Sequence, residues 1–592
     1  MFTIRFTTTA YRPDALVTLR TEAGAWTDDA GGVYQDGAWV FRLDEADYGG
    51  VLTFKFVLER SYWMLGDNLA VAPVPGADYA FDEGNVKFPP YDGLIVENSR
   101  VQEVFFPPAL DEQKTYDVIV VGSGIGGGIL ADQLSDLGLD VLVLEAGSYL
   151  FPTHVANLPR RHLVGRFDKH IWGLYGTFKV VNYTNAPGSA FEGGQAFNLG
   201  GRSVFWGGFI PRMSGWEFHA WPAGIRQYLE GPGYARAEDV MNRTGLPSSP
   251  WNESVKQTLA QRTGDFVYFD APMAVQYSGL SAASIPAGMF STADLLTESA
   301  LTADPVGREG LTVNLNHAVV RVETDGGRAT AVVAHDLISN TFRSYKARHV
   351  ALCAGTLESA KIALMSGLRD PNGKAGVGLT DHLIRYIHFA LPPSSPLYSS
   401  AESAKLLAQH PGADKDHHAF NVLLELGADL NQGRFVDDEI LAEHRRRRGD
   451  TMLCELVFLF DQRLVETNRL RHAGPPVAKP EVLVRPGADG DRFRAETDAL
   501  TGEIVDALGG IALVGEDLVL DDAGLGIVAH EVGTLRLGAG GTGVVDEDLR
   551  FLEYENLYAC DLSVFPSSPA ANPTLTLAAL AIRLADHIKA RA

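Results

Sequence analysis

The chain has 592 residues, of which 46% are hydrophobic and 21% are charged, and its formal net charge is −24. This length exceeds what one hydrophobic core supports, so we expect about three domains, and the acidic charge argues against a nucleic-acid partner, which would need a basic surface. Cys353, Cys454 and Cys560 lie too far apart to suggest a disulfide framework or a zinc site, so we predict no metal and a reducing compartment.

Residues 1–88 are predicted to form a separate all-β sandwich. Apolar and polar residues alternate from Phe2 to Phe6 and again through Phe54 and Phe56. The first residues lack the apolar core of a signal peptide, and no uninterrupted apolar run reaches the roughly 18 residues that span a bilayer. We therefore expect a cytoplasmic protein without a membrane span. A proline-bracketed linker over residues 89–111 follows the sandwich.

Residues 54–68, FKFVLERSYWMLGDN, are similar to one hairpin of a starch-binding-type carbohydrate module. Trp26, Trp39, Tyr62 and Trp63 would then be able to stack on sugar rings. Aromatic residues in a small β-domain more often fill its core, so we favour a core role for them. Docking and homo-oligomerisation are alternative roles for this module.

The stretch YDVIVVGSGIGGG predicts a strand that runs into a helix through a glycine-rich turn. The apolar strand Asp117–Val121 ends at the GxGxxG pattern of Gly122, Gly124 and Gly127. Gly122 permits the tight turn, Gly124 lets the backbone approach a pyrophosphate, and Gly127 lets the helix pack close to the strand. The turn alone is a weak signal, because glycine-rich turns are common.

A second strand and an acidic residue complete this pattern. The apolar run Val141–Leu144 delivers Glu145 about 18 residues after the last glycine, where a carboxylate is expected to hydrogen-bond a ribose 2′-hydroxyl. Strand, turn, helix, strand and acid in this order predict a Rossmann-like domain that binds an adenosine diphosphate group. The pattern leaves the choice between NAD and FAD open.

NLGGRSVFWGG, residues 198–208, follows an irregular aromatic region. Paired glycines flank Val204, Phe205 and Trp206, which would let backbone and rings press against a flat ligand. A tight turn beside a core tryptophan explains the pattern equally well.

The rest of the chain is predicted to alternate between two domains. Strands alternate over residues 311–350, and HVALCAGTLESAKIALMSG repeats the strand-then-helix pattern, with Thr356 as the expected cap. Residues 381–524 lack a glycine-rich turn and are assigned to a second, substrate-binding domain. The predicted segments are 112–215, 301–380 and 525–592 for the nucleotide-binding domain, and 216–300 and 381–524 for the substrate domain.

Two residues near the end of the chain are candidates for catalysis. His530 lies in a glycine-rich segment of low charge, and Asn572 lies just before a helix expected to begin at Pro573. Taken alone, a histidine is more often structural than catalytic.

Together the motifs resemble those of the glucose-methanol-choline (GMC) flavoprotein oxidoreductases. The resemblance covers residues 116–592 and rests on DVIVVGSGIGGG with LEAG, NLGGRSVFWGG, LCAGTLESA, VGLTDH, HEVGTLRLG and DLSVFPSSPAANPTLT. It implies an α/β fold in which a Rossmann-like FAD-binding domain carries an inserted antiparallel-sheet substrate domain. It also implies that His530 takes the hydroxyl proton of an alcohol while a hydride passes to flavin N5, with Asn572 as its partner.

The same resemblance implies a set of cofactor contacts. The nucleotide end of FAD would be held by Gly122, Gly124, Gly127, Glu145, Val319 and Asp561. The flavin would lie along the glycine-rich loop and beside the start of the last helix, at Asn198, Gly200, Gly201, Ser203, Phe205, Trp206, Gly207, Pro573 and Thr574.

Within the family, the His/Asn pair and ANPTLT look closest to the pyranose oxidase and sugar 3-oxidase branch. That branch implies oxidation of a secondary hydroxyl of a sugar or glycoside to a ketone, with oxygen or a quinone-type molecule as electron acceptor. Fungal pyranose oxidases carry a flavin-linked histidine where this chain has Phe205, so we predict non-covalent FAD.

Three alternatives stay open at this point. Cholesterol oxidases share a His/Asn pair, so a steroid or other bulky alcohol is the nearest rival substrate; apolar residues around the substrate would favour it, and polar residues would favour a sugar. The fold also hosts hydroxynitrile lyases, in which FAD has no redox role. A carbohydrate- or partner-docking protein with a vestigial flavin domain is the third alternative, and the presence of His530 and Asn572 argues against it.

Overall fold

The fold is described from a computed structural model. It describes residues 1–8, 15–27, 29–58, 60, 62–88, 110, 112–157, 175–243, 248–276, 288–302, 310–427, 438–472, 474–476 and 478–592. The predicted linker, 89–111, lies outside the described residues except at position 110. The chain divides into two compact units, Met1–Pro107 and Pro108–Ala592.

The first unit contains two β-sheets whose alternating apolar side chains form one core. Its strands are β1 Phe2–Thr7, β2 Val17–Thr21, β3 Asp29–Gly31, β4 Val33–Gln35, β5 Ala38–Leu43, β6 Leu52–Leu58, β7 Tyr62–Trp63, β8 Leu69–Val71 and β9 Asp78–Asp82. One sheet has the order β4-β5-β1-β9, and the other has the order β3-β2-β6-β7 with β8 beside β6. Phe2, Phe6, Phe54 and Phe56 are buried in this core, as their alternation predicts.

The aromatic residues of this unit divide into two groups. Trp39 is 1% exposed and belongs to the core, and Tyr62 packs against that core. Trp26 and Trp63 are half-buried, with ring centroids 6.2 Å apart, and the Arg20 guanidinium lies 5.0 Å from the Trp63 ring. A core role therefore describes Trp39, whereas Trp26 and Trp63 form a partly exposed pair.

The second unit contains the remaining strands and the helices. The strands are β10 Thr115–Val121, β11 Val141–Leu144, β12 Thr184–Asn185, β13 Val267–Asp270, β14 Val275–Gln276, β15 Gly288–Met289, β16 Leu311–Asn314, β17 His317–Asp325, β18 Arg328–Asp336, β19 Thr341–Leu352, β20 Ile384–Leu391, β21 Ala404–Gln409, β22 Phe420–Leu426, β23 Met452–Phe460, β24 Gln462–Arg463, β25 Arg469–Arg471, β26 Glu481–Leu483, β27 Ile511–Ala512, β28 Asp521–Asp522, β29 Leu557–Ala559 and β30 Ser567–Ser568. The helices are α1 Ile125–Asp136, α2 Ala223–Tyr228, α3 Tyr234–Val240, α4 Pro250–Arg262, α5 Thr292–Thr302, α6 Thr356–Met365, α7 Asp438–Arg448, α8 Arg494–Leu508 and α9 Thr574–Lys589. Among the described residues, none of these helices combines the length and apolar character needed to cross a bilayer.

A mixed sheet carries the glycine-rich turn. Its order is β16-β11-β10-β19-β18-β17, with β29 beside β19. β16, β11, β10, β19 and β29 are parallel neighbours, whereas β17, β18 and β19 pair antiparallel. The carboxyl ends of the parallel strands share one edge, and this edge brings Gly122, after β10, close to Glu145, after β11. The predicted α/β class and Rossmann-like sheet are confirmed.

Two local predictions differ from the structure. The sequence predicts the last strand of residues 311–350 and the strand that opens HVALCAG as separate elements. Instead, β19 is continuous, because its first half pairs antiparallel with β18 and its second half pairs parallel with β10. Thr356 is the first residue of α6 and not its cap; the flanking residue is Gly355, whose φ of 88° favours glycine.

A second, antiparallel sheet has the order β13-β21-β22-β23-β20-β27, with β28 on β20. On one face its side chains pack against α4 and α8. Together these residues form one buried hydrophobic cluster. The other face carries Leu407, Leu423, Val457 and Leu459, which cluster with Phe209 and Val528. Residues from both predicted substrate segments, 216–300 and 381–524, contribute to this sheet; the division into cofactor and substrate domains stays a prediction.

Candidate active site

One cavity of about 570 Å³ connects the edge of the mixed sheet with the inner face of the antiparallel sheet. Of the residues predicted from the sequence, it is lined by Gly122, Gly124, Glu145, Gly201, Ser203, Phe205, Trp206, Gly207, Val319, His530, Asp561, Asn572 and Thr574. Gly127, Asn198, Gly200 and Pro573 do not line it. Residues that are more than 400 positions apart in sequence therefore share one cavity.

The glycines of the GxGxxG turn have different surroundings. Gly122 has φ 98°, and a Cβ there would lie 2.6 Å from the Cys353 carbonyl oxygen. A Cβ on Gly124 would meet no atom within 4 Å, so its open side faces the cavity. A Cβ on Gly127 would lie 2.0 Å from the Gly122 carbonyl oxygen, which explains why this glycine packs the helix onto the strand and does not reach the cavity.

Gly126 also has a structural role, which the motif alone does not predict. A Cβ there would lie 2.0 Å from the carbonyl oxygen of Cys560, at the end of β29. Because that obstacle is backbone, the start of α1 sits against this segment only when position 126 is glycine.

Glu145 holds the turn together through both carboxylate oxygens. Oε2 accepts hydrogen bonds from the Ser123 amide at 3.0 Å and the Ser123 hydroxyl at 2.7 Å, and Oε1 accepts one from the Gly147 amide at 2.8 Å. Burial raises the pKa of this carboxyl, and these hydrogen bonds oppose that shift. The side chain lines the cavity, where a ribose hydroxyl is expected.

The loop NLGGRSVFWGG folds back onto the turn through its glycines. Gly200 and Gly201 have φ values of 82° and 53°, and a Cβ on Gly201 would lie 3.3 Å from the Cα of Gly124. The Ser203 hydroxyl donates to the Gly200 carbonyl at 2.6 Å, and the Asn198 side-chain amide donates to the Leu199 and Gly201 carbonyls. Asn198 and Gly200 thus fix the conformation of the loop without lining the cavity.

Asp561 and the start of α9 form the opposite wall. The Asp561 carboxylate is buried and accepts hydrogen bonds from the Gly355 amide, the Ser359 hydroxyl and the Ser563 amide, at 2.9, 2.5 and 2.8 Å. Burial raises its pKa. α9 begins at Thr574, one residue later than predicted, with Pro573 as its flanking residue. Its N-terminal end therefore lies at the cavity, as does that of α1.

His530 and Asn572 meet in the wall of the cavity. The Asn572 side-chain nitrogen Nδ2 lies 3.4 Å from Nε2 of His530. The Asn572 oxygen Oδ1 is buried and has no hydrogen-bond partner among the described residues. Ala529, which precedes His530, has φ 62°, an unfavourable value for a residue with a side chain. An amide N–H beside an imidazole is able to donate a hydrogen bond to the oxygen of a bound alcohol and leave the hydroxyl proton to the imidazole.

A second histidine lies behind His530. His382 is 3% exposed, and its Nε2 lies 2.9 Å from Nδ1 of His530. Burial lowers the pKa of His382 to about 4, although the nearby Pro569 and Phe460 carbonyls oppose the shift. The His382 ring is therefore neutral near pH 7. The sequence motif VGLTDH contains this residue, but its role depends on a contact across 148 positions.

Two charged residues in the cavity wall form an ion pair that the sequence did not predict. The Arg202 guanidinium Nη1 lies 2.6 Å from Oε1 of Glu531, which follows His530 and is 3% exposed. Burial raises the pKa of Glu531, and Arg202 opposes the shift. Nearby, Asp381 accepts the Gly526 amide at 2.7 Å, and burial raises its pKa to about 6.

Glu217 positions the segment that carries Asn572. Its Oε1 accepts a hydrogen bond at 2.7 Å from the amide of Ala571, the residue before Asn572. Its Oε2 accepts a second hydrogen bond, at 2.5 Å, from the Ser214 amide. Glu217 is fully buried, and burial raises its pKa to about 8. No sequence pattern points to it, because Glu217 and Ala571 are 354 positions apart.

Toward the antiparallel sheet the cavity is surrounded by an apolar collar, followed by two carboxylates. The carboxylates belong to Glu425 and Glu455. We call the apolar residues the collar; they are Phe209, Ile384, Leu423, Val457, Leu459 and Val528.

The residues present fit an FAD molecule. The open side of Gly124 and the N-terminal ends of α1 and α9 all face one cavity. Helix N-termini and exposed backbone amides bind phosphate groups.

Comparisons with known proteins agree with this architecture. Family models described as GMC oxidoreductase match residues 285–384 and 473–581. A long-chain-alcohol oxidase of Arabidopsis thaliana is 22% identical over 86% of this chain and 71% of its own length. The paromamine 6'-oxidase of Streptomyces fradiae is 24% identical over 81% of this chain and 92% of its own. The crystal structure of pyridoxine 4-oxidase from Mesorbium loti has the same fold, with a TM-score of 0.57, 20% identity, and coverage of 80% of this chain and 99% of that one.

Proposed function

The chain belongs to the GMC oxidoreductase family, whose members are FAD-binding flavoproteins acting on alcohols, and on that premise we propose that it oxidises a secondary ring hydroxyl of a sugar or glycoside to a ketone. The observation that carries the proposal is the 3.4 Å approach of Asn572 Nδ2 to His530 Nε2 in the wall of the cavity. An imidazole and an amide side by side supply a proton acceptor and an oriented site for one hydroxyl.

His530 is proposed to take the substrate's hydroxyl proton on Nε2. We assign the His382 proton to Nδ1, so that Nε2 of His382 accepts a hydrogen bond from Nδ1–H of His530. The lone pair of His530 then lies on Nε2, toward Asn572. Asn572 is proposed to donate a hydrogen bond from Nδ2 to the alcohol oxygen, so it leaves the hydroxyl proton to Nε2 of His530.

FAD would be held by the glycine-rich turn, Glu145, Asp561, the loop at 198–207 and the start of α9. When bound, FAD supplies the acceptor for the hydride that leaves the carbinol carbon. Non-covalent binding is proposed because Phe205 has no atom able to form the link that a histidine would form. Acid precipitation should release yellow flavin into the supernatant; flavin that stays on the polypeptide would contradict this.

The collar and the two carboxylates bear on substrate choice. Glu425 and Glu455 accept hydrogen bonds, which favours a substrate with polar substituents over a hydrocarbon. The collar would face the apolar side of a ring or the aglycone of a glycoside. Paromamine 6'-oxidase is a relative whose name specifies a polar substrate.

A steroid or other bulky apolar alcohol is the second candidate substrate. The collar favours it, because six apolar side chains line this part of the cavity, and one relative is named a long-chain-alcohol oxidase. We rank it second because burying two carboxylates against a hydrocarbon would leave both without new hydrogen bonds.

The test is a comparison of substrates by stopped flow without oxygen. Methyl β-glucoside, phenyl β-glucoside, cholesterol and 1-dodecanol are mixed with the enzyme, and loss of the flavin absorbance is followed. We expect the glucosides to bleach the flavin; bleaching by cholesterol or dodecanol alone would support the second candidate. Bleaching by any alcohol would also exclude the redox-silent lyase role. Reoxidation of the bleached enzyme by oxygen or by a quinone identifies the electron acceptor.

We also propose that the enzyme works in the cytoplasm. The support is that Cys353, Cys454 and Cys560 are free and buried, as thiols are in a reducing compartment. Fractionation of the source cells tests this, and activity recovered only outside the cytoplasm would contradict it.

A further inference from the structure

The inner face of the antiparallel sheet changes from apolar to charged side chains along its strands. β20 begins two residues after His382, which contacts His530, so the pair Ile384–Leu459 is the register pair nearest the base. One step further, Leu423 lies opposite Val457. These four residues are apolar and belong to the collar, and the same two rows also contain Asn421 on β22 and Tyr386 on β20.

The next register row, two residues further along each strand, is charged across four adjacent strands. In register order it contains Lys405 on β21, Glu425 on β22, Glu455 on β23 and His388 on β20, and we call these four residues the charged row. Lys405 Nζ lies 2.6 Å from Glu425 Oε1, and His388 Nε2 lies 3.0 Å from Glu455 Oε2. All four residues are less than 9% exposed.

The position of the charged row suggests a ligand and not a stabilising role. Only its two central residues, Glu425 and Glu455, line the cavity, whereas Lys405 and His388 flank them outside it. Glu425 lies directly opposite Glu455, an arrangement that is unfavourable for like charges. Buried ion pairs contribute little to folding stability, so apolar residues at these four positions would serve the sheet equally well.

We propose that Glu425 and Glu455 bind a protonated amine of the substrate at the end of the cavity away from His530. A cation between the two carboxylates removes their repulsion and receives charge-assisted hydrogen bonds from both. Leu459 and Glu455 are four residues apart on one strand, which spans about 13 Å. The amine therefore lies roughly two sugar rings from the reactive hydroxyl, with the collar between them.

This inference rests on the proposed function and narrows it. The substrate class is an amine-bearing alcohol of about two rings, such as an amino-disaccharide or an aminoglycosidic alcohol. A monosaccharide would reach His530 without reaching the charged row, and a steroid would offer it no cation.

The experiment uses two probes that differ only in the group offered to the row. They are the β-1,4 dimer of glucosamine and cellobiose, which carries hydroxyls where the first carries amines. Binding is measured by oxygen-free calorimetry, and flavin bleaching is measured separately. We expect the wild-type holoenzyme to bind the amine dimer at least tenfold more tightly than cellobiose, and Glu455→Gln to abolish most of that preference. Glu503→Gln, an exposed change on α8 at the opposite face of the sheet, is the matched control and should keep the preference.

The outcomes separate the inference from the function on which it rests. Equal affinity of the wild type for the two dimers, or an unchanged preference in Glu455→Gln, would overturn the role of the charged row. Preferential binding of the amine dimer without bleaching by either sugar would support the row and overturn sugar oxidation. If Glu455→Gln does not fold, as judged by thermal melting, Glu455→Asp is used instead, and the wild-type comparison of the two dimers stands without any variant.

Discussion

Nε2 of His382 lies 2.9 Å from Nδ1 of His530, so the imidazole that faces the cavity is held by a second, fully enclosed imidazole. The low pKa of His382, about 4, keeps its ring neutral over the pH range in which enzymes of this kind are assayed. A neutral partner fixes the ring orientation and tautomer of His530 without adding charge. His382 is thus a positioning residue and not a catalytic one.

Replacing His382 should slow proton removal without abolishing substrate binding. We expect His382→Ala to lower the limiting rate of flavin reduction about 10- to 100-fold, because His530 loses the acceptor that fixes its tautomer. His382→Asn offers a side-chain oxygen in a similar place and should recover part of the rate. Stopped-flow reduction over pH 5–9 measures both. Equal losses in the two variants, with an unchanged pH profile, would indicate a purely structural role.

Asn572→Asp should move the pH dependence of the reaction. A carboxylate beside Nε2 of His530 favours the protonated imidazole and raises its pKa, so the base is ionised and inactive up to a higher pH. We expect the rising limb of kcat/KM to shift by about one to two pH units toward alkali. Asn572→Ala removes the amide without adding charge, and should lower the rate at every pH without that shift. An unshifted profile in Asn572→Asp would mean that the two side chains do not meet in the working enzyme.

Substitutions at two glycines of the nucleotide turn should have separate effects, one on folding stability and the other on FAD affinity. Gly126→Ala places a Cβ 2.0 Å from the Cys560 carbonyl and should destabilise the flavin-free protein by about 2 kcal/mol or more, although alanine is ordinarily the better helix residue. The Cβ that Gly124→Ala adds would meet no protein atom within 4 Å, so the variant should have the melting temperature of the wild type. It should bind FAD at least tenfold more weakly, because the Cβ lies where a phosphate approaches. Melting of the apoproteins and FAD titration measure these effects. Normal FAD affinity in Gly124→Ala would show that no phosphate approaches this glycine.

Glu217 should make folding stability depend on pH. Its folded pKa of about 8 lies above the ordinary value of 4.5, so between these pH values the folded state binds one more proton than the unfolded state. The stability it contributes is complete below about pH 4.5 and is lost as pH rises through 8. Glu217→Gln mimics the protonated form, so its melting temperature should fall less than that of the wild type from pH 5 to 8.5, with Glu503→Gln as the control. Parallel melting curves for Glu217→Gln and the wild type would contradict the raised pKa.

Sequence patterns predict the parts of this fold that depend on neighbouring residues. The βαβ unit from Tyr116 to Gly147 is confirmed, because the apolar strands, the glycine turn and the helix end are all encoded within about 30 residues. FAD and the family are confirmed as well, because several motifs occur in a fixed order. Domain boundaries and individual site residues stay predictions.

The residues that sequence reasoning missed act through contacts between distant segments. His382 and Glu217 support the site from outside the cavity, and Arg202 lines it; each contacts a partner that is 148 or more positions away in the chain. The charged row was missed for another reason. Each of its members lies in a mostly apolar strand, and only the register of four strands brings them together.

The most direct test of the account is the rate of flavin reduction in the wild type and in His530→Ala, measured without oxygen with a glycoside as the only reductant. We expect rapid bleaching in the wild type and bleaching slowed about 100- to 10,000-fold in His530→Ala, because the hydroxyl proton loses its acceptor. Matching rates in the two proteins, or no bleaching of the wild type by any alcohol, would contradict the assignment of this cavity as the site of alcohol oxidation.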